Sequence, residues 1–152
     1  MKLKQISIPI ENSIHRLHDL TRSLADAGIN LRALNLVDNG NFGELRILVS
    51  DLAAARRIAM QAQVPARVQE VIAAEIDDRP GEFSRLLHPL LAQGIRLRHA
   101  YACAGVGSGK AVMVFSFSDN DRAAAILKKN GHYLLDNRDL TALDRPAAAA
   151  AS

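Results

Sequence analysis

Cysteine, tryptophan and proline are scarce in this chain of 152 residues: one Cys, no Trp and five Pro, with aromatics at 4%. Cys103 alone excludes a disulfide within the chain, and so few aromatic rings leave little to stack against bases. No segment approaches the roughly 20 consecutive apolar residues of a membrane span. Met1 to Gln5 leads directly into the alternating Ile6, Ile8 and Ile10, where a signal peptide would carry a long apolar core. A reduced, cytoplasmic setting is therefore expected. Charge of one sign is also missing, since 19 Lys and Arg stand against 16 Asp and Glu for a net +3. The adjacent basic pairs are Arg56-Arg57 and Lys128-Lys129, so an isoelectric point near 9.4 describes scattered cations rather than a phosphate-tracking surface. Neither nucleic acid nor a membrane is expected as a partner.

What the chain does have is enough apolar material for a core, 49% of residues with 23% charged, and an internal repeat. Ile10 to Leu31 aligns without gaps on Ile76 to Leu97. Leu20 falls on Leu86, Leu24 on Leu90, Gly28 on Gly94 and Ile29 on Ile95, a constant separation of 66 positions. Farther on, Ser50-Asp51 matches Ser118-Asp119 at a separation of 68, and each pair is good N-cap chemistry for the alanine-rich segment that follows. Period-2 and period-3.6 patterning predicts strand, helix, strand, strand, helix, strand in both copies. In the first, these are Gln5 to Ile10, Ser13 to Ala27, Asn30 to Val37, Glu44 to Ser50, Leu52 to Gln61 and Ala66 to Glu70. In the second, they are Val71 to Ile76, Gly81 to Gln93, Arg96 to Cys103, Ala111 to Phe117, Arg122 to Asn130 and about His132 to Leu135. Hairpin signals lie at Asp38 to Asn41 and Gly105 to Gly109. A βαββαβ order predicts an α+β fold of two ferredoxin-like units, residues 1–70 and 71–140, each an antiparallel sheet with helices on one face. Residues 141–152 read as an alanine-rich tail.

Several strands look apolar on both sides. Leu34 and Leu36 alternate with Leu31 and Val37, and Met113, Phe115 and Phe117 alternate with Val112 and Val114. The face away from the helices should then be covered as well, and a homodimer with stacked sheet faces is the expectation.

Catalytic motifs fail on spacing. Gly105 to Lys110 is no phosphate loop, because Ala104 and Ala111 occupy its required Gly and Ser/Thr positions and a strand follows rather than a helix. His15, His18 and Asp19 share a helix face but make too few ligands for zinc. Cys103 has no His to activate it, and Asp77-Asp78 reads as helix capping. No metal and no cofactor are implied. One segment differs: in Asp78-Arg79-Pro80-Gly81-Glu82, Pro80 fits the first helical position and Gly81 leaves the opening amides uncovered. Such a turn suits an anion, although the residues by themselves favour an ordinary strand-to-helix turn.

Asp78-Arg79-Pro80-Gly81 followed by Phe83, Leu86, Leu90 and Ala92-Gln93-Gly94-Ile95 resembles the signature of the ACT domain, the small regulatory module of amino-acid metabolism. Leu24 to Asn30 matches the same family's end-of-helix motif, and Phe42 to Arg46 and Gly109 to Val112 look like its stand-alone tandem subgroup. The resemblance implies two units paired side by side into one eight-stranded sheet, with amino acids or similar small carboxylates bound at unit interfaces. Carried over, the ligand residues are Asn12, Ser13, Ile14 and His15 with Gly28, Ile29 and Asn30 in the first copy. In the second they are Asp78, Arg79, Pro80, Gly81 and Glu82 with Gly94, Ile95 and Arg96. The copies depart from each other, since Ile14-His15 replaces Pro80-Gly81 and Arg96 replaces Asn30. A non-enzymatic amino-acid sensor is the leading expectation. The alternative is a regulatory or assembly subunit that binds an amino-acid metabolic enzyme and carries vestigial pockets.

Overall fold

The structure, a computed structural model, describes residues 2–11, 14–103 and 109–143. Asn12, Ser13, most of the second hairpin turn and the alanine tail beyond 143 lie outside the described residues. The chain divides into two compact units, Lys4–Gln69 and Met1–Leu3 with Glu70–Ser152.

The first unit is built from β1 (Leu3–Glu11), α1 (Ile14–Asp26), β2 (Leu31–Asp38), β3 (Phe42–Val49) and α2 (Leu52–Gln61). Strand β3 lies between β2 and β1 and is antiparallel to both. Ile6, Ile8 and Ile10 of β1 and Leu45, Ile47 and Val49 of β3 face one way. They form a core with Leu20 and Leu24 of α1 and Ala55 and Ala59 of α2. Alanines four apart on α2 let that helix approach the sheet closely, and the Asp51 carboxylate accepts from the Ala54 amide at 3.0 Å to start it.

The second unit repeats the plan with β4 (Arg67–Asp77), α3 (Glu82–Leu87), β5 (Leu97–Ala102), β6 (Lys110–Phe117), α4 (Asn120–Lys129) and β7 (Tyr133–Leu134), then adds α5 (Asn137–Leu143). Strand β6 lies between β5 and β4, and β7 pairs with β4, all antiparallel. Ile72, Ala74, Phe115 and Phe117 pack on Leu86, Leu90, Ala123 and Leu127. The Phe83 and Phe115 rings stack with centroids 5.9 Å apart.

Five expectations change. Seven strands are described rather than eight, because the strands expected at Ala66 to Glu70 and Val71 to Ile76 run on as the single strand β4 with no turn residue between them. The helix expected over Gly81 to Gln93 is cut short at Leu87 and followed by a 3-10 turn, His88–Leu90. Pro89 is the cause: it has no N–H to give and its ring crowds the carbonyl four residues back. At the matching position of α1, Ser23 keeps its backbone N–H, its hydroxyl donates to the Asp19 carbonyl at 3.0 Å, and the helix continues to Asp26. Pro80 precedes the helix rather than opening it, since Gly81 is the N-cap at φ 89°. Helix α5 occupies part of the supposed tail, held by a reciprocal cap in which Asp136 Oδ1 accepts from the Asp139 amide at 2.9 Å and Asp139 Oδ2 accepts from the Asp136 amide at 2.8 Å.

The fifth change concerns the apolar faces. A bulge between Leu31 and Ala33 shifts the register of β2, so Leu31 and Leu36 both pack on the helix-side core. The expected two-sided apolarity of this strand is largely that slip. On the other face, Ala33 and Leu48 are each 1% exposed, and Val112 and Val114 are 1% and 0% exposed. Those side chains are buried within one copy of the chain, so a stacked second copy is not needed to remove them from water.

Both second helices end alike. The Val64 amide donates to Ala59 O at 2.9 Å and the Gln63 amide to Met60 O at 3.0 Å, while the His132 and Gly131 amides donate to Leu127 O and Lys128 O, each at 3.0 Å. This closure places its central residue in the left-handed region, where Gly131 has φ 82° and Gln63 has φ 56°. A non-glycine residue there costs on the order of 1 kcal/mol. Gln63→Gly should raise the melting temperature by roughly 2–4 °C, and Gly131→Ala, whose added Cβ would meet nothing within 4 Å, should lower it by a similar amount. Thermal unfolding followed by circular dichroism checks both signs, and a fall for Gln63→Gly would contradict this account.

Candidate functional site

The loop from Asp77 to Glu82 joins β4 to α3 and carries the second set of expected ligand residues. Three of its amides are engaged locally: Asp78 N–H donates to Gly109 O at 3.0 Å, Arg79 N–H to Asp77 O at 2.9 Å and Glu82 N–H to Arg79 O at 3.4 Å. Its side chains form an ion-pair cluster rather than a cap. The Arg79 guanidinium reaches Asp77 at 2.8 Å and Glu82 at 3.2 Å, Arg85 stands 3.6 Å from Glu82, and Lys110 bonds the other oxygen of Asp77. Asp77 thus serves as an ion-pair partner, not the helix cap that its position suggested, and Gly81 opens α3 with no side-chain cap.

The other half of each expected site sits where β2 or β5 begins. Gly28 and Gly94 have φ 71° and 65°, turning the chain out of the preceding helical segment. Ile29 is 6% exposed and belongs to the first core, and Ile95 packs against the second, so their side chains anchor the start of each strand. Asn30 and Arg96 are each held by a two-way bond. The Asn30 amide donates to Ser50 Oγ at 2.9 Å and the Ser50 amide returns to Asn30 O at 3.0 Å. The Arg96 amide donates to Ser118 Oγ at 2.9 Å and the Ser118 amide returns to Arg96 O at 2.8 Å. In the first copy Ile14 is 85% exposed and His15 is exposed. Asn12 and Ser13 lie outside the described residues. Among the described residues, the bonds that fix the second-copy loop and the two strand starts run within them or to Ser50, Ser118, Gly109, Lys110 and Arg85.

Elsewhere, burial pushes the Cys103 thiol up to about 11, which keeps it protonated and unreactive at neutral pH. His18 contacts Asp19 at 3.4 Å. Among the described residues no group of three or more His, Cys, Asp or Glu is arranged to hold a metal, and no helix is long and apolar enough to cross a membrane. Sequence reasoning passed over two clefts of similar size. One lies beside α1 and is about 400 Å³; the other lies beside α3 and is about 420 Å³. The repeat offset was the signal that could have paired them.

The Lys110 ammonium, through its hydrogen bond and then its charge, holds Asp77 below the usual carboxylate range, and Asp77 raises Lys110 in return. A carboxylate lowered in the folded state contributes stability above its unfolded value, near 3.8, and loses it as pH falls through the lowered value. Lys110→Met should move the Asp77 titration upward in a carboxylate NMR experiment and weaken the pH dependence of stability below pH 4. An unchanged Asp77 titration would contradict the pairing.

Comparison with known proteins fits this geometry. No curated protein matches the chain. A solved structure from Bacteroides thetaiotaomicron is 31% identical, covers 92% of this chain and 96% of its own, and superposes with a TM-score of 0.85. The regulatory subunit of aspartate kinase from Thermus thermophilus is 11% identical over 83% of this chain and 90% of its own, with a TM-score of 0.60. The corresponding subunit from Thermus flavus, at 12% identity over the same shares of the two chains, gives 0.58. At those identities the two Thermus subunits show a common fold. The profile of the ACT domain pair matches residues 1–143, which takes in both repeats and α5. With that match, and the Bacteroides relative alongside it, the chain belongs to the ACT domain pair family.

Proposed function

We propose that the protein is a non-catalytic regulatory module that senses an amino acid. The loop after the first strand of a repeat, with the start of its second strand, would form the site: Asp78 to Glu82 with Gly94 to Arg96, and Asn12 to His15 with Gly28 to Asn30. The observation that carries this reading is the family match across both repeats, since the family's modules are regulatory and bind amino acids. The regulatory subunits of aspartate kinase with the same fold support it at the level of architecture. The thiol of Cys103, held protonated by burial, fits a protein without nucleophilic chemistry. A homodimer and a cytoplasmic setting belong to the same reading.

A second reading has one observation in its favour. The amides of Asp78, Arg79 and Glu82 already donate within the loop or to Gly109, so the second copy offers a carboxylate fewer donors than an open turn would. On that reading the protein is a regulatory or assembly subunit that acts on an amino-acid metabolic enzyme through protein contact.

Differential scanning fluorimetry against the twenty amino acids separates them. A ligand at 100 times its Kd stabilises the native state by about 2.7 kcal/mol, which for a chain of this size is a rise of roughly 5–10 °C. A selective rise with one or two amino acids, reduced by Asn30→Ala or Arg96→Ala, is expected. No rise above 1 °C with any of them at 10 mM would overturn the sensor reading and leave the subunit reading, for which co-purification with a larger enzyme is the check. Light scattering at micromolar concentration should give twice the chain mass.

A further inference from the structure

The two clefts occupy equivalent positions in the two repeats, each between the repeat's first helix and the turn that ends its second. Asp19 and Ser23 line one where Arg85 and Pro89, 66 positions on, line the other; Ala62 and Val64 correspond to Asn130 and His132 at the offset of 68. Their chemistry is opposed. Among the described residues, the first cleft presents the carboxylates of Glu11 and Asp19 with the cation Arg16. The second presents Arg85, His88 and His132 with Gly81, Ser84 and Asn130, and no carboxylate among the described residues lines it.

We propose that the cleft beside α3 is a binding site for the phosphate group of a small molecule, with Arg85 as its cation and the imidazoles of His88 and His132 on its walls. A volume of about 420 Å³ falls in the range of small-molecule sites, roughly 300–1,000 Å³. Arg85 supplies a planar fork suited to phosphate oxygens. It is 69% exposed and tethered only loosely, its guanidinium 3.6 Å from Glu82, so it can turn to a ligand without breaking a tight pair. The C-terminal end of α4 would oppose an anion if its carbonyls faced the cleft bare. They are occupied instead. Ile126 O accepts from the Asn130 amide at 3.1 Å and from its side chain at 2.8 Å, and Leu127 O and Lys128 O accept from His132 and Gly131. The same closure fixes the backbone of His132 at the cleft wall.

Burial, and then the Arg85 charge, lower the His132 pKa, with Glu82 acting weakly the other way. The charged groups acting on it are Arg85 and Glu82 on α3, and the His88 imidazole, on the turn that follows, lines the same cleft. A dianion bound beside His132 favours its protonated form, so binding takes up a proton and weakens as pH rises.

Sulfate is the appropriate probe, because it has the tetrahedral shape of phosphate and stays dianionic across the pH range, leaving the protein groups as the source of any pH dependence. Titration of the full chain with sodium sulfate, against sodium chloride at matched ionic strength, is followed through the imidazole signals in ¹H–¹⁵N spectra. Saturable shifts of the His132 and His88 signals are expected, with one site per chain and affinity about tenfold weaker at pH 8 than at pH 6. Arg85→Ala and His132→Gln should each weaken binding about tenfold, whereas Asp19→Ala in the equivalent acidic cleft should leave it unchanged. The replaced side chains are exposed or half-buried, and an unchanged melting temperature without sulfate confirms that each variant is folded. Absence of saturation at 50 mM sulfate at pH 6 overturns the proposal from the wild-type protein alone, as does a folded Arg85→Ala/His132→Gln double variant that binds like wild type. Gly81 lines this cleft and also belongs to the proposed amino-acid site, but Arg85, His88 and His132 do not, so sulfate binding that depends on them fails or holds separately from the amino-acid response.

Discussion

A short two-way bond at one corner of each repeat holds the rest in register. Ser50 and Ser118 directly follow the third strand of their repeats, and each exchanges hydrogen bonds with the residue just before the second strand, Asn30 or Arg96, at 2.8–3.0 Å. The hydroxyl gives a partner to an amide that lies before the strand ladder begins, at an exposed position, so the bond acts through geometry rather than through desolvation. The next residue in each case is the N-cap. Asp51 and Asp119 accept from the amides three residues on, each at 3.0 Å, so the bond that closes the hairpin also sets the angle at which the second helix leaves the sheet. Ala55, Ala59, Ala123 and Leu127 then land on the β3 or β6 side of the core.

Beyond that corner the two repeats share one irregularity and differ in another. The bulges between Leu31 and Ala33 and between Leu97 and His99 lie immediately beyond the bond in both copies. They let the strand leave the corner in one register and pair with its neighbour in another. Pro89 shortens the helix of the second repeat, but the buried positions Leu86 and Leu90 still match Leu20 and Leu24, each 5% exposed or less. A 3-10 turn advances by a slightly different rotation per residue, and over three residues the error is small enough for Leu90 to reach the core.

Much of this was legible in the residues themselves. The repeat, the order of elements, the Ser-Asp corners and the glycines that end the helices follow from spacing, because each is a local rule with its cause within a few residues. The misses have a common character. A bulge leaves no mark on alternation except an apparent second apolar face, and here Leu31 and Leu36 produced that appearance. Asp136 and Asp139 spell a reciprocal cap, but the segment they open is too short and polar for its periodicity to register against the alanines that follow. The Asp77 to Glu82 loop was legible as a turn. Its ion pairs to Lys110 and Arg85 were not, because they join residues whose proximity depends on the sheet and on the helix direction. The clefts were hidden for the same reason: Arg85 and His132 are distant in sequence and meet only through the packing of α3 and α4.

The contrast between the two clefts bears on what the duplication achieved. Backbone positions at Asp19 and Arg85, or Val64 and His132, are constrained by helix and turn geometry that both copies share, while the side chains at the rim are free to change without touching either core. Replacing Asp19 by Arg85 and Val64 by His132 reverses the charge of the same surface hollow at little cost to folding, since exposed charge substitutions are usually worth less than about 0.5 kcal/mol. The paired architecture therefore keeps one solution to the folding problem and carries it twice with different surface chemistry. Side chains that fill Leu24 and Leu90 positions must stay apolar in both copies. Those lining the hollows are under no such shared requirement, and it is there that the two halves have become chemically distinct.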